Sequence, residues 1–148
     1  MLIYQAGPLF TDAEKDFHKK LSSELTKAGH SVVWPGALLT DEQISAAGNQ
    51  GGKLIFNSCK DNLDRCDCLV ALLDGTQVDD GTSWEIGYAY AKNMPVYGLR
   101  TDARRAGDAQ DSPVNSMIAQ CLTGYATNVG DLLAQLAQLS KPERKAAK

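Results

Sequence analysis

The sequence predicts a doubly wound α/β fold, a parallel sheet with helices on both faces. Strand-like and helix-like segments alternate along the chain, and the run CLVALL, Cys68 to Leu73, is apolar without interruption. Alternation implies parallel strands joined by helical crossovers, and an unbroken apolar run suits a strand covered on both faces. That run is therefore expected at the centre of the sheet.

Leu2 to Ala6 forms the first strand. Thr11 or Asp12 caps a helix that runs to about Lys27, with Phe17, Leu21, Leu25 and Ala28 on one face and Gly29 ending it. Ser31 to Trp34 is a second strand, stopped by Pro35-Gly36. The polar, glycine-rich stretch Leu39 to Gly52 reads as a long loop with room for a short helix, and loops of that length tend to be functional. A helix from about Lys53 to Arg65 leads into the central strand. A helix over Ser83 to Lys92, a strand over Pro95 to Leu99, a polar loop and a helical Val114 to Cys121 follow. Gly124 to Ala126 is a weaker fifth strand, and Val129 to Leu139 an amphipathic helix. Residues 1–140 are expected to make one domain, and 141–148 a disordered basic tail.

A chain of 148 residues is long enough to bury roughly 68 to 70% of its unfolded surface in one domain. A formal charge of −3 supplies no basic field for nucleic acid or anionic lipid, so small molecules are the expected partners. The chain opens on strand-like LIYQA, and no apolar run could span a bilayer, which points to the cytoplasm. Cys59, Cys66, Cys68 and Cys121 lack metal-ligand spacing and read as reduced thiols, so neither zinc nor another metal is expected.

In doubly wound sheets, ligands bind beyond the carboxyl ends of the strands. Three segments fall there: YQAGPLF with Gly7 and Phe10, LDGTQVDDGTSWE with Asp74 and Asp79, and GLRTD. Within the second, Glu85 is a lone carboxylate in an apolar helical run. Thr82-Ser83-Trp84-Glu85 matches a capping box, in which Glu85 would bond back to the helix start. Its other reading is chemical. In a first helical turn the macrodipole favours the ionised acid, Trp84, Ile86 and Tyr88 limit its hydration, and such a carboxylate is a competent nucleophile toward a sugar carbon. Gly87, Ala89 and Ala91 would let the helix approach the sheet closely.

IYQAGPLF, CDCLVALLDG, DDGTSWEIGYAYA and Asn115-Ser116-Met117, in that order, resemble the nucleoside 2-deoxyribosyltransferase family over about residues 3 to 121. The resemblance implies a flavodoxin-like, Rossmann-like five-stranded sheet, an oligomer built from dimers, and no cofactor. It also implies base exchange on a 2'-deoxyribonucleoside through a covalent deoxyribosyl-enzyme intermediate. Glu85 occupies the nucleophile's position, Tyr4 that of the tyrosine positioning it, and Asp79 that of the acid binding the sugar 5'-hydroxyl. Asn115 and Met117 match a pair contributed by a neighbouring subunit, and Phe10 an aromatic near the base. The family's acid for the leaving base falls by strict spacing on Cys59, with Asp61 two residues on. Asp61 is the expected catalyst, Asp74 and impaired exchange the alternatives.

Related enzymes hydrolyse nucleoside 5'-monophosphates. The carboxylate of Asp79 and the uncharged first loop disfavour a phosphate here, and Arg100, Arg104 and Arg105 read as solvated loop charges, the alternative being an arginine bent toward a phosphate. His18 and His30 are expected away from the crevice, surface-exposed or satisfied in the core. Ser83 lacks a nucleophile elbow, and Asp79-Asp80-Gly81 lacks the calcium-loop ladder. Gln43, Asn49 or Gln50 could bond a base edge. A non-catalytic nucleoside sensor is the rival of another class.

Overall fold

The computed structural model describes residues 1–139; the expected basic tail, 141–148, lies outside them. Five strands form one all-parallel sheet in the order β2-β1-β3-β4-β5. They are β1 (Leu2–Ala6), β2 (Ser31–Val33), β3 (Cys68–Leu72), β4 (Val96–Leu99) and β5 (Gly124–Ala126). The helices are α1 (Asp12–Lys27), α2 (Asp41–Ala46), α3 (Gly51–Leu63), α4 (Asp80–Ala91), α5 (Ser116–Ala119) and α6 (Val129–Gln138). This is the flavodoxin-like arrangement, and β3 is buried at every position.

Alternation along the strands sorts two apolar layers. Ile3, Val70 and Leu72 pack with Leu21 and Leu25 of α1 and Leu132 and Leu136 of α6. Tyr4, Leu69, Ala71 and Leu73 pack on the other face with Leu63 of α3 and Ile86 and Ala89 of α4. Tyr4 thus belongs by parity to the layer beneath α3 and α4.

Local chemistry sets the element ends. Thr11 caps α1 in a full capping box with Glu14, and Gly29, at φ 88°, takes the left-handed conformation that ends it. The expected loop Leu39 to Gly52 contains α2, with its own Thr40–Gln43 capping box, and the first two residues of α3. The expected helix Val114 to Cys121 is only the four-residue α5, capped by Asn115.

The start of α4 differs from the Thr82 box. Asp79 is the N-cap: its Oδ2 accepts from the Thr82 backbone N–H at 2.9 Å and from Thr82 Oγ1 at 3.0 Å. The helix therefore begins three residues earlier than expected, and Thr82 is buried inside its first turn. Glu85 falls in the second turn, where it has no helix start to bond. Close approach of α4 to the sheet is made by Ala89, which is fully buried. Gly87 faces open space and Ala91 is exposed.

Candidate active site

The order of the strands places a topological switch between β1 and β3, and a cleft of about 780 Å³ opens at the carboxyl ends there. The first loop contributes Gly7, Leu9 and Phe10, and the segment after β2 contributes Trp34 through Asp41 with Ile44. Ile55, Ser58 and Cys59 come from α3, and Asp79, Gly81, Thr82 and Glu85 from the start of α4. The wall beyond β2 is mostly apolar, while the carboxylates Asp79 and Glu85 lie together where α4 begins.

Glu85 is the centre of the polar end. The Tyr4 hydroxyl, on a fully buried side chain, donates to Glu85 Oε1 at 2.6 Å. Burial pushes the Glu85 carboxyl up to about 7, the Tyr4 hydrogen bond opposes that shift, and the negative field of Asp79 adds to it. The expectation of an acid held ionised by the helix dipole is corrected on both counts. Glu85 is a turn too far along the helix, and lost hydration dominates. Burial and the neighbouring Glu85 raise the Tyr4 phenol, so it remains a hydrogen-bond donor. Cys59 adjoins both groups, and burial raises its thiol too.

Gly7 is required where it stands. A Cβ there would lie 2.7 Å from His18 Cε1 and 2.9 Å from Leu72 Cβ, so only glycine lets the first loop pass this close. Phe10 projects at the mouth and is 72% exposed. Of the residues expected at a base edge, Gln43 is engaged in its capping box, and Asn49 and Gln50 do not line the cleft. Thr40 and Asp41 line the cleft instead, as does Lys15 of α1.

Several expected site residues lie elsewhere. Asp61 is on the exposed face of α3, paired with Lys60 at 3.0 Å, because it falls two residues past the inward-facing Cys59. Asp74 is turned toward the loop after β4, accepting from the Thr101 N–H at 2.6 Å and hydroxyl at 2.5 Å. Neither lines the cleft, and neither does GLRTD. Asn115 donates to Asp108 Oδ2 at 3.1 Å, and Met117 is 80% exposed, both outside this chain's own cleft.

Arg100 is not a solvated charge. It is 3% exposed and donates to the carbonyls of Leu73, of Gly75 at 2.9 Å and of Arg104 at 2.7 Å. Asp102 returns the contact by accepting from the Gly75 N–H at 3.1 Å. Together these bonds latch the loop after β3, which delivers Asp79, to the loop after β4. Nothing in GLRTD signalled this, since a buried arginine satisfied by carbonyls has no sequence pattern.

All four cysteines are free. Among the described residues, no helix is long and apolar enough to cross a membrane, and no cluster of three His, Cys, Asp or Glu side chains could hold a metal.

The sheet order defines a flavodoxin-like α/β protein, with a cleft holding a recessed carboxylate at the switch point. The chain belongs to the nucleoside 2-deoxyribosyltransferase family, whose profile matches residues 3–117. That family is enzymatic, and its members act on nucleosides and nucleobases. An uncharacterised protein of Ureaplasma parvum is 28% identical over 150 residues, covering 90% of this chain and 92% of that protein. A 2-deoxyribosyltransferase from Bacillus psychrosaccharolyticus shares the fold at TM-score 0.73 and 21% identity, over 90% of each chain. A CMP N-glycosidase from Clostridium botulinum shares it at TM-score 0.55 and 18% identity, over 93% of this chain and 99% of that one.

Proposed function

We propose that the protein is a retaining N-deoxyribosyltransferase that exchanges the base of a 2'-deoxyribonucleoside through a covalent deoxyribosyl-Glu85 intermediate. The observation that carries this reading is the Tyr4–Glu85 pair, a recessed carboxylate held by one short hydrogen bond inside the cleft. In its ionised form, Glu85 attacks C1' as the C1'–N bond breaks and the bonding electrons leave with the base, through an oxocarbenium-like transition state. The departing base takes a proton from water at the open mouth, since Asp61 and Asp74 lie outside the cleft. A second base then attacks C1', Glu85 leaves as carboxylate, and the incoming nitrogen loses its proton to water. Water attacking instead gives hydrolysis, the second outcome of the same intermediate.

Asp79 is read as the ligand of the sugar 5'-hydroxyl. Its Oδ2 is committed to Thr82, which fixes the carboxylate and leaves Oδ1 for substrate. A 5'-phosphate at that point would meet a carboxylate, so unphosphorylated deoxynucleosides are the proposed substrates. Leu38, Leu39, Ile44 and Ile55 offer the base an apolar wall.

The proposed assembly is a homodimer or larger homo-oligomer with shared sites. Asn115 and Met117 face away from their own cleft, and an exposed aromatic row lies on α3 and α4. In that row Phe56 meets Trp84 at 5.2 Å, and Trp84 stacks on the half-buried Tyr88 at 5.0 Å. Mixing Asn115→Ala with Glu85→Ala chains tests sharing: recovered turnover supports it, and none refutes it.

The test of the reaction is direct. The protein is incubated with deoxyadenosine, deoxyinosine, thymidine or deoxyuridine and a different free base, and products are separated by chromatography. A new deoxynucleoside that disappears in Glu85→Ala supports transfer, and release of free deoxyribose alone supports hydrolysis. Saturable binding with no turnover by the native protein would leave the sensor reading.

A further inference from the structure

His18 is fully buried on α1, directly behind two walls of the cleft rather than away from it. Its Nε2 lies 3.0 Å from the Pro8 carbonyl oxygen in the first loop. Its ring stacks on Trp34, with centroids 5.5 Å apart and planes inclined by 26°. On its other side, Nδ1 lies 2.8 Å from Gln5 Nε2 in β1.

The surroundings leave one protonation state. Gln5 Nε2 also donates to the His18 carbonyl oxygen at 3.0 Å, and Gln5 Oε1 accepts from Ser22 Oγ at 3.0 Å. A flipped amide would set its oxygen against that carbonyl, so the amide hydrogens must face Nδ1, and Nδ1 accepts. The Pro8 carbonyl can only accept, so Nε2 carries the hydrogen. Neutral Nε2–H imidazole satisfies every partner, whereas an imidazolium would turn a second N–H into the Gln5 amide hydrogens.

We propose that His18 is a positioning residue for the cleft, its neutral Nε2–H ring fixing the first loop through Pro8 and the Trp34 wall by stacking. This rests on the reading of the cleft as a nucleoside site. The geometry gives the ring a reach that a core histidine without such contacts would lack. It is at once the anchor of the segment carrying Leu9 and Phe10 after β1 and the backing of the wall after β2. Gly7 is pressed against the same ring, so the loop has no slack to take up if the ring moves. Burial holds the imidazole below its ordinary titration range, against the opposing field of Glu14 on the same helix. Gln5, Pro8 and Trp34, which face it from the other elements, bring no charge.

Ring nitrogen NMR on the full chain tests the state without using turnover. The expected spectrum is that of neutral Nε2–H imidazole, persisting below the pH at which a free imidazole titrates. Emission from Trp34, read in a Trp84→Phe background, should stay constant over the same interval and change only when His18 titrates. An Nδ1–H tautomer, titration at the ordinary histidine value, or Trp34 emission indifferent to His18 titration would overturn the proposal.

Kinetics supply the second arm. His18→Gln keeps an N–H aimed at Pro8, and His18→Leu does not. His18→Leu should raise KM for the deoxynucleoside about tenfold with kcat within about threefold, and His18→Gln should restore most of KM. Unchanged KM in the leucine variant, or equal loss in both, would overturn it. Should the leucine variant fail to fold, the NMR and emission results decide alone. If the native protein turned over no deoxynucleoside, the transferase reading would fail, while those spectra would still report on His18.

Discussion

The Tyr4 hydroxyl donates to Glu85 Oε1 at 2.6 Å, joining two residues 81 positions apart in sequence. Tyr4 is placed by the parity of β1 and Glu85 by the phase of α4, so the contact exists only because the sheet sets those two elements side by side. It also favours the charged form of an acid that burial would otherwise keep protonated more strongly. The pH response of the site follows from this balance.

Attack requires the ionised carboxylate, so kcat/KM should rise with pH to a plateau above about 7, the value to which burial pushes Glu85. Tyr4→Phe removes the one contact that lowers that value, and the rising limb should move to higher pH. A pH–rate profile checks it. An unmoved limb in Tyr4→Phe would show that the hydroxyl does not act on Glu85.

The same shift makes Glu85 a stability cost at alkaline pH. A group that binds its proton more tightly folded than unfolded contributes stability fully below its unfolded value, and loses it as pH rises through the folded one. The window therefore runs from 4.5 to about 7. Glu85→Gln keeps an acceptor for Tyr4 without the charge. It should exceed the native protein by up to about 3 kcal/mol at pH 8, with the gap closing toward pH 4.5. Urea unfolding at both pH values decides, and a gap independent of pH would contradict the assignment.

Asp79 carries a structural and a proposed binding role, and two substitutions separate them. Asp79→Ala loses the α4 cap and should cost about 1 kcal/mol. Asp79→Ser keeps a capping oxygen, so its thermal stability should stay close to native while kcat/KM for deoxynucleosides falls at least tenfold. Native kinetics in Asp79→Ser would assign the residue to capping alone.

The latch between the loops after β3 and β4 should be costly to open. Arg100→Met leaves the Leu73, Gly75 and Arg104 carbonyls without their donor, a loss of about 2 to 4 kcal/mol for buried partners of a charged group. Thermal unfolding measures it. A midpoint within about 2 °C of native would mean that the latch adds nothing.

Much of the frame was legible because it depends on local rules. The bounds of β1, β5 and α1 follow from apolar runs, from a cap at Thr11 or Asp12, and from Gly29. The start of α4 was misread because Asp79 and Thr82 are both good caps, and a local pattern cannot rank them. In the folded chain Asp79 takes the cap and Thr82 is buried within the first turn. Asp61 shows the same limit, since two residues along a helix turn a side chain through more than half a circle. Spacing alone could not say that Cys59 faces inward and Asp61 outward.

The amino-acid order by itself determined the alternation of elements, the central place of β3 and the small set of residues from which a site could be built. These follow from periodicity and capping, which act over a few residues. Tertiary structure alone decided that Arg100 is enclosed and that His18 backs two cleft walls, while the Tyr4–Glu85 pairing implied by the family resemblance is made only where β1 and α4 meet. Those contacts join distant segments, and their energies depend on hydration lost only when the layers close.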